Sequence, residues 1–132
     1  MSALWPVQKA LVGRLKATPA LIARVSGVYD GQAPQGTSMP YVVVGEATER
    51  DASAMAERGF SDTITLHVWS AYPGRKEALE IVGMIDLALR DPLSLEGHTE
   101  ADLRLDFATT LVEEDGVRHM PIRYRFSTFE VA

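Results

Sequence analysis

Cysteine is absent from the 132 residues. Neither a disulfide framework nor a thiolate metal centre is therefore open to the chain, a composition that suits a reducing compartment. No apolar run approaches the ~18 residues that a membrane helix needs, and the first residues lack the charged-then-apolar pattern of a secretory signal. The expectation is a cytoplasmic protein without a membrane partner. Positive charge is scarce: 13 Lys and Arg stand against 18 Asp and Glu, a formal net charge of −5. Tight binding to phosphate backbones rests mostly on clustered Lys and Arg, so this balance argues against it. Arg118, Arg123 and Arg125 are close in sequence, but a strand points Arg118 to the opposite face from the other two.

Signs of catalysis and cofactor binding are equally sparse. Neither GxGxxG nor GxxxxGK[ST] occurs, which removes the common glycine-rich phosphate cradles. His67, His98 and His119 form no HxH or HxxH pair, and a lone strand histidine such as His67 is more often packed or solvated than a ligand. Ser70 and His67 are three apart on a strand and point to opposite faces, so they make no catalytic pair. Carboxylates crowd in loops and turns instead of pairing on an apolar background that would tune them for acid or base work. No catalytic, metal or cofactor residue is assigned.

What is present is a core. At 46% hydrophobic and 23% charged, residues 1–132 fit one domain. Its centre is the stretch from Ser61 to Leu93. Ile64, Leu66 and Val68 alternate with Thr63, Thr65, His67 and Trp69 over Ser61–Ser70, a strand with one aliphatic face. After Tyr72 the period changes: Ala78, Ile81, Val82, Ile85, Ala88 and Leu89 make a helical stripe, predicting a helix from Pro73 to Arg90 that lies on the sheet.

Before this stretch, Val7, Leu11, Val12 and Leu15 predict a helix over Pro6–Ala17. A second, of about two turns, starts with Thr18 as cap and Pro19 and ends at a left-handed Gly27. Val28–Asp30 is a candidate short strand before the irregular Gly31–Pro40 loop. Tyr41–Gly45 is a continuous apolar run that reads as a central strand covered on both faces. Glu46–Phe60 is polar and reads as an extended loop or hairpin arm, with a helical turn possible from Ala52 to Arg58. After the long helix come a polar link over Ser94–Asp102, a strand over Leu103–Leu111, an Asp115-Gly116 hairpin turn, and a return strand over Val117–Val131 with Ile122, Tyr124 and Phe126 on one face. The fold class is α+β: an antiparallel or mixed sheet of four to five strands with two N-terminal helices and one long helix packed on it.

The helical segments at Val7–Leu15 and Thr18–Gly27, MPYVVVGEATERD at Met39–Asp51, TLHVWSAYPGRKEALEI at Thr65–Ile81, and Asp91, Pro92, Leu93 and Leu95 occur in one collinear order. In this the chain resembles the tail-terminator or tail-completion proteins of long-tailed phages and gene transfer agents. The resemblance covers nearly the whole chain. It implies a non-enzymatic, head-tail joining ring component, commonly in six copies, with no cofactor. The implied partners are further copies of the chain, the tail tube protein and the head connector or stopper protein, with DNA passing through unbound. Assembly would take place in the host cytoplasm and the mature protein would sit in the particle's tail.

Within that expectation Trp69 lies on the strand face opposite Leu66 and Val68, where large aromatics often anchor subunit contacts, and Tyr72, Arg75 and Lys76 form the adjoining turn. Glu46, Glu49, Asp51 and Glu57 on the polar arm are candidates to face the lumen, because carboxylates there would repel a passing polyanion. Two other classes stay open on the residues alone. A small-molecule-binding or enzymatic domain would need a pocket of converging polar groups, and a nucleic-acid-binding accessory protein would need a basic surface.

Overall fold

The computed structural model describes residues 2–131. Helices α1 (Leu4–Lys16) and α2 (Pro19–Ile22) precede strands β1 (Val28–Asp30), β2 (Tyr41–Asp51) and β3 (Gly59–Ser70). Then come α3 (Lys76–Ala88), β4 (Ser94–Leu95), β5 (His98–Ala108), β6 (Leu111–Val112) and β7 (Arg118–Glu130). The strands form one sheet in the order β1-β2-β3-β7-β5-β4, with β6 also paired to β7. β1 runs parallel to β2 and the other pairings are antiparallel. The α+β class with helices on a mixed sheet is as expected, and two two-residue strands, β4 and β6, extend it.

The alternation in β3 places the helices. Ile64, Leu66 and Val68 are fully buried in one cluster with Ile81 and Ile85 of α3, Val7, Leu11 and Leu15 of α1, and Ile122, Tyr124 and Phe126 of β7. Burying each aliphatic side chain of this kind contributes about 1.5 to 3 kcal/mol. All three helices deliver their buried residues to this one side. The other side of the sheet carries no helical layer among the described residues.

Several elements depart from the sequence reading. α3 starts at Lys76 because Tyr72–Gly74 close a tight turn, the Gly74 N–H donating to the Tyr72 carbonyl at 2.8 Å. α1 starts two residues before Pro6, and α2 is a single turn. The Thr18 hydroxyl donates to the Arg14 carbonyl at 2.8 Å instead of capping α2. Gly27 is not left-handed. Its need for glycine is space, since a Cβ there would lie 2.6 Å from the Tyr29 hydroxyl.

The expected both-sided cover of Tyr41–Gly45 is also incomplete. Val42 and Val44 enter the core, but Val43 is buried on the other face by neighbouring side chains, outside the core cluster. No helical turn forms at residues 52–58: β2 continues to Asp51 and the segment is a hairpin tip bridged between Ala54 and Glu57. The polar link over Ser94–Asp102 is β4 and the first half of β5. The strand expected to reach Leu111 stops at Ala108, and bulges interrupt its pairing to β7 at Glu100/Asp102 and Leu105/Phe107. The Asp115-Gly116 turn forms as predicted, with Gly116 at φ 84° and the Glu113 N–H donating to Val117.

Candidate functional site

A bulge in β2 builds the open face of the sheet. Val44 pairs with Leu66 and Ala47 with Ile64, so Gly45 and Glu46 together oppose one residue, Thr65. An uninterrupted strand would aim Glu46 to the same side as Val42 and Val44, into the core. The bulge turns it outward, where Glu46 Oε1 lies 2.6 Å from His67 Nε2. His67 Nδ1 is 2.7 Å from His119 Nε2, and His119 Nδ1 is 2.9 Å from Glu113 Oε1. Four side chains from β2, β3, β7 and the β6–β7 turn thus form one continuous chain of hydrogen bonds. Gly45 is required for it, because a Cβ would come within 2.7 Å of the His67 ring.

Aromatic rings frame this chain. The Trp69 and His119 rings stack at 3.8 Å between centroids with 7° between planes, and Tyr41 lies 6.5 Å from Trp69. Tyr41, Val43, Gly45 and the 31–33 loop complete a shallow cavity of about 440 Å³ around His67 and Trp69. The hydrogen bond from His67 is the main reason the Glu46 carboxyl is held below the usual carboxylate range. The depression is open and the histidines bond along a line, and no three metal-ligating side chains converge on a point anywhere among the described residues.

The residues expected to form one acidic arm do not act together. Beyond the bulge the faces of β2 are exchanged, so Glu49 pairs with Asp62 on the inner side and accepts the Ala3 N–H at 3.0 Å. Burial pushes the Glu49 carboxyl up, but hydrogen bonds from Asp62, Ser2 and the Ala3 and Leu4 N–H groups outweigh it and leave the carboxyl below its ordinary range. Asp62 is fully buried and is pushed up to about 8, by burial first and then by Glu49. Burial and the neighbouring Glu49 carboxylate both favour the protonated form of Asp62. Asp51 accepts from the Ser53 hydroxyl and N–H, which lower it, and Glu57 sits exposed in the hairpin tip. Tyr72, Arg75 and Lys76 are exposed at the β3–α3 turn.

The structure therefore brings Glu46 and Trp69 into one site and separates Glu49, Asp51 and Glu57 from it. Glu113 and Tyr41 are members that the sequence reading missed, and His67 and His119 are ones that it set aside. The shared parity of His67 and Trp69 on β3 is a visible signal. Their junction with His119 depends on the β3–β7 register, which pairs Trp69 with His119 across 50 residues of chain.

The domain thus has its helices on one side of the sheet and an open aromatic face on the other. Residues 9–128 match the family described as Tail completion protein gp17, and the chain belongs to that family. The tail completion protein gp17 of Bacillus phage SPP1 is 31% identical over 123 residues, covering 92% of this chain and 90% of that protein. The solved structure of bacteriophage SPP1 gp17 superposes with a TM-score of 0.65 at 27% identity, covering 97% of this chain and 90% of that one. A chain in the solved virion of a native gene transfer agent particle has the same fold, with a TM-score of 0.85 at 22% identity over 97% of this chain and 98% of that one. The role of the protein is structural, in tail assembly.

Proposed function

We propose that the chain closes the end of a tail tube as a ring of identical copies, six by family resemblance, and joins that end to the head connector or stopper protein. The role is mechanical and involves no reaction. Assembly takes place in the host cytoplasm and the ring remains at the head–tail joint of the mature particle, where DNA passes through it. The observation that carries this reading, beyond family membership, is an uncovered apolar margin. Phe107 and Leu111 are 50% and 43% exposed on β5 and β6, while Leu105 and Val112 are exposed on the opposite side of the same strands. Phe107 and Leu111 lie opposite Arg123 and His119 and so extend the open face that holds Trp69. An apolar patch continuous with stacked aromatics is the kind of surface that neighbouring subunits cover.

Phe107→Glu and Leu111→Glu test it without touching the core. Both variants are expected to melt like the parent and to lower the yield of joined particles by about tenfold or more, since a lost contact of ~1.4 kcal/mol already changes an association constant tenfold. Electron microscopy of lysates should show separate heads and tails. Normal particles from both variants would remove this margin from the subunit interface.

A further inference from the structure

We propose that Glu46, His67, His119 and Glu113 hold one proton more than two neutral imidazoles supply, and that this shared proton clasps β2 and the β6–β7 turn onto the open face of the sheet. The reasoning is a count of protons. Three hydrogen bonds run in series, at 2.6, 2.7 and 2.9 Å, and each requires one proton. Ionised carboxylates only accept, so His67 donates to Glu46 from Nε2 and His119 donates to Glu113 from Nδ1. A neutral imidazole has a single N–H, and both are now used. The remaining contact would set the lone pair of His67 Nδ1 against that of His119 Nε2 at hydrogen-bond distance.

It closes only when a third proton lies between them, making an imidazole–imidazolium pair with a carboxylate at each end. Moving that proton onto a carboxylate leaves the count unchanged. A bridging zinc-type cation fits less well: bonds of ~2.0–2.1 Å at a tetrahedral angle would hold the nitrogens about 3.3 Å apart, and no third ligand converges there. The surroundings suit the charge. The Trp69 ring lies flat on His119, and an aromatic face attracts a cation. Other titratable or charged groups toward this face by register are Tyr29 and Tyr41 on β1 and β2, Arg50 farther along β2, Arg104 on β5, Glu114 and Asp115 in the adjoining turn, and on β7 the pair Arg123 and Arg125. Both arginines of that pair are held by Asp106 of β5, at 2.7 and 3.5 Å.

Removing the proton as pH rises leaves two lone pairs opposed, so an imidazole must turn and release Glu46 at the bulge or Glu113 at the turn. The face around Trp69 then becomes one unit more negative. This clasp is a property of the single chain and stands whether or not the open face is a ring interface.

The test uses the full chain. Nitrogen NMR of histidine-labelled protein should show protons on His67 Nε2 and His119 Nδ1 and a third, shared proton, lost in a single one-proton step as pH is raised. The chain has two tryptophans, so Trp5→Phe leaves Trp69 as the only reporter. Its emission, quenched by a stacked imidazolium, should rise in the same step. Glu113→Gln and, from the other end, Glu46→Gln each remove a negative charge and should move the step to lower pH. Circular dichroism confirms folding, and if one variant fails to fold the other carries the test. Two neutral imidazoles with no third proton throughout the titration, two independent proton uptakes, or a step that neither substitution moves would each overturn the proposal.

Discussion

Asp62 sets how stability depends on pH. An Asp in the unfolded chain titrates near 3.9, whereas burial and the neighbouring Glu49 push Asp62 up to about 8 in the folded protein. Between these values the folded state binds the extra proton, so stability falls as pH rises from about 4 to about 8 and levels off above. Asn in its place keeps an N–H donor for Glu49 and never ionises. Asp62→Asn is therefore expected to raise stability near pH 8 by about 1 to 3 kcal/mol and to flatten the pH profile of the melting temperature. A variant that melts lower than the parent at pH 8 would show that Asp62 is ionised and stabilised in the fold. The residue is legible in the sequence only as one carboxylate in the strand that opens SDTITL. Its burden comes from burial first and then from Glu49, which is unremarkable until the bulge turns it inward.

At the scale of elements, α3 is anchored at its C-terminal end by α1. The Arg14 guanidinium donates to the carbonyls of Ala88, Asp91 and Pro92 at 2.8, 2.9 and 2.9 Å. These are carbonyls that a helix end and the following turn leave without intrahelical partners, and a cation also complements the negative end of the helix dipole. Arg14→Ala should destabilise by about 1 to 3 kcal/mol, measurable in urea melts. Arg14→Lys should recover only part of this, because an ammonium lacks the planar fork that meets several carbonyls at once. A melt unchanged in Arg14→Ala would mean that the carbonyls are equally well served by water. The apolar stripe of α3 is plain in the sequence, and its docking on Leu66 and Val68 follows from it. The clamp by a residue more than 70 positions earlier has no local signal.

For the whole molecule, the bulge redistributes the acidic charge. Glu46 is bonded to His67 and Glu49 to Ala3, which leaves Asp51, bonded only to nearby Ser53, and Glu57 at the hairpin tip, beside the fully exposed Met55, as the acidic residues of this arm that face away from the sheet. Replacing Asp51 and Glu57 together by Lys should leave the fold intact and cost only the local hydrogen bonds from Ser53 to Asp51 at the tip. The same change should raise the affinity of the assembled protein for duplex DNA with a steep salt dependence, and lower the output of DNA-delivering particles. Normal delivery by this variant would place the tip outside both the channel and the subunit contacts. Glu49→Lys, by contrast, should destabilise the fold, because it removes the carboxylate that accepts the Ala3 N–H at the start of α1.

The features that the sequence determined by itself are those set by contiguous residues: the alternation of Ile64, Leu66 and Val68, the stripe from Ala78 to Leu89, and the Asp115-Gly116 turn. Side-chain period and turn chemistry act over a few residues, so they survive any arrangement of the rest. The features that only the tertiary structure decided depend on which residue of one strand lies opposite which residue of another. One extra residue at Gly45 and Glu46 exchanges the faces of β2, turning Glu46 out and Glu49 in. A second bulge puts Leu105 and Phe107 on opposite faces although they are two apart. His67 and His119, 52 residues apart, meet only in the register that β3 and β7 adopt. Register is chosen by the fit of the whole core, because a slip of one residue would send every buried side chain of a strand to the other face.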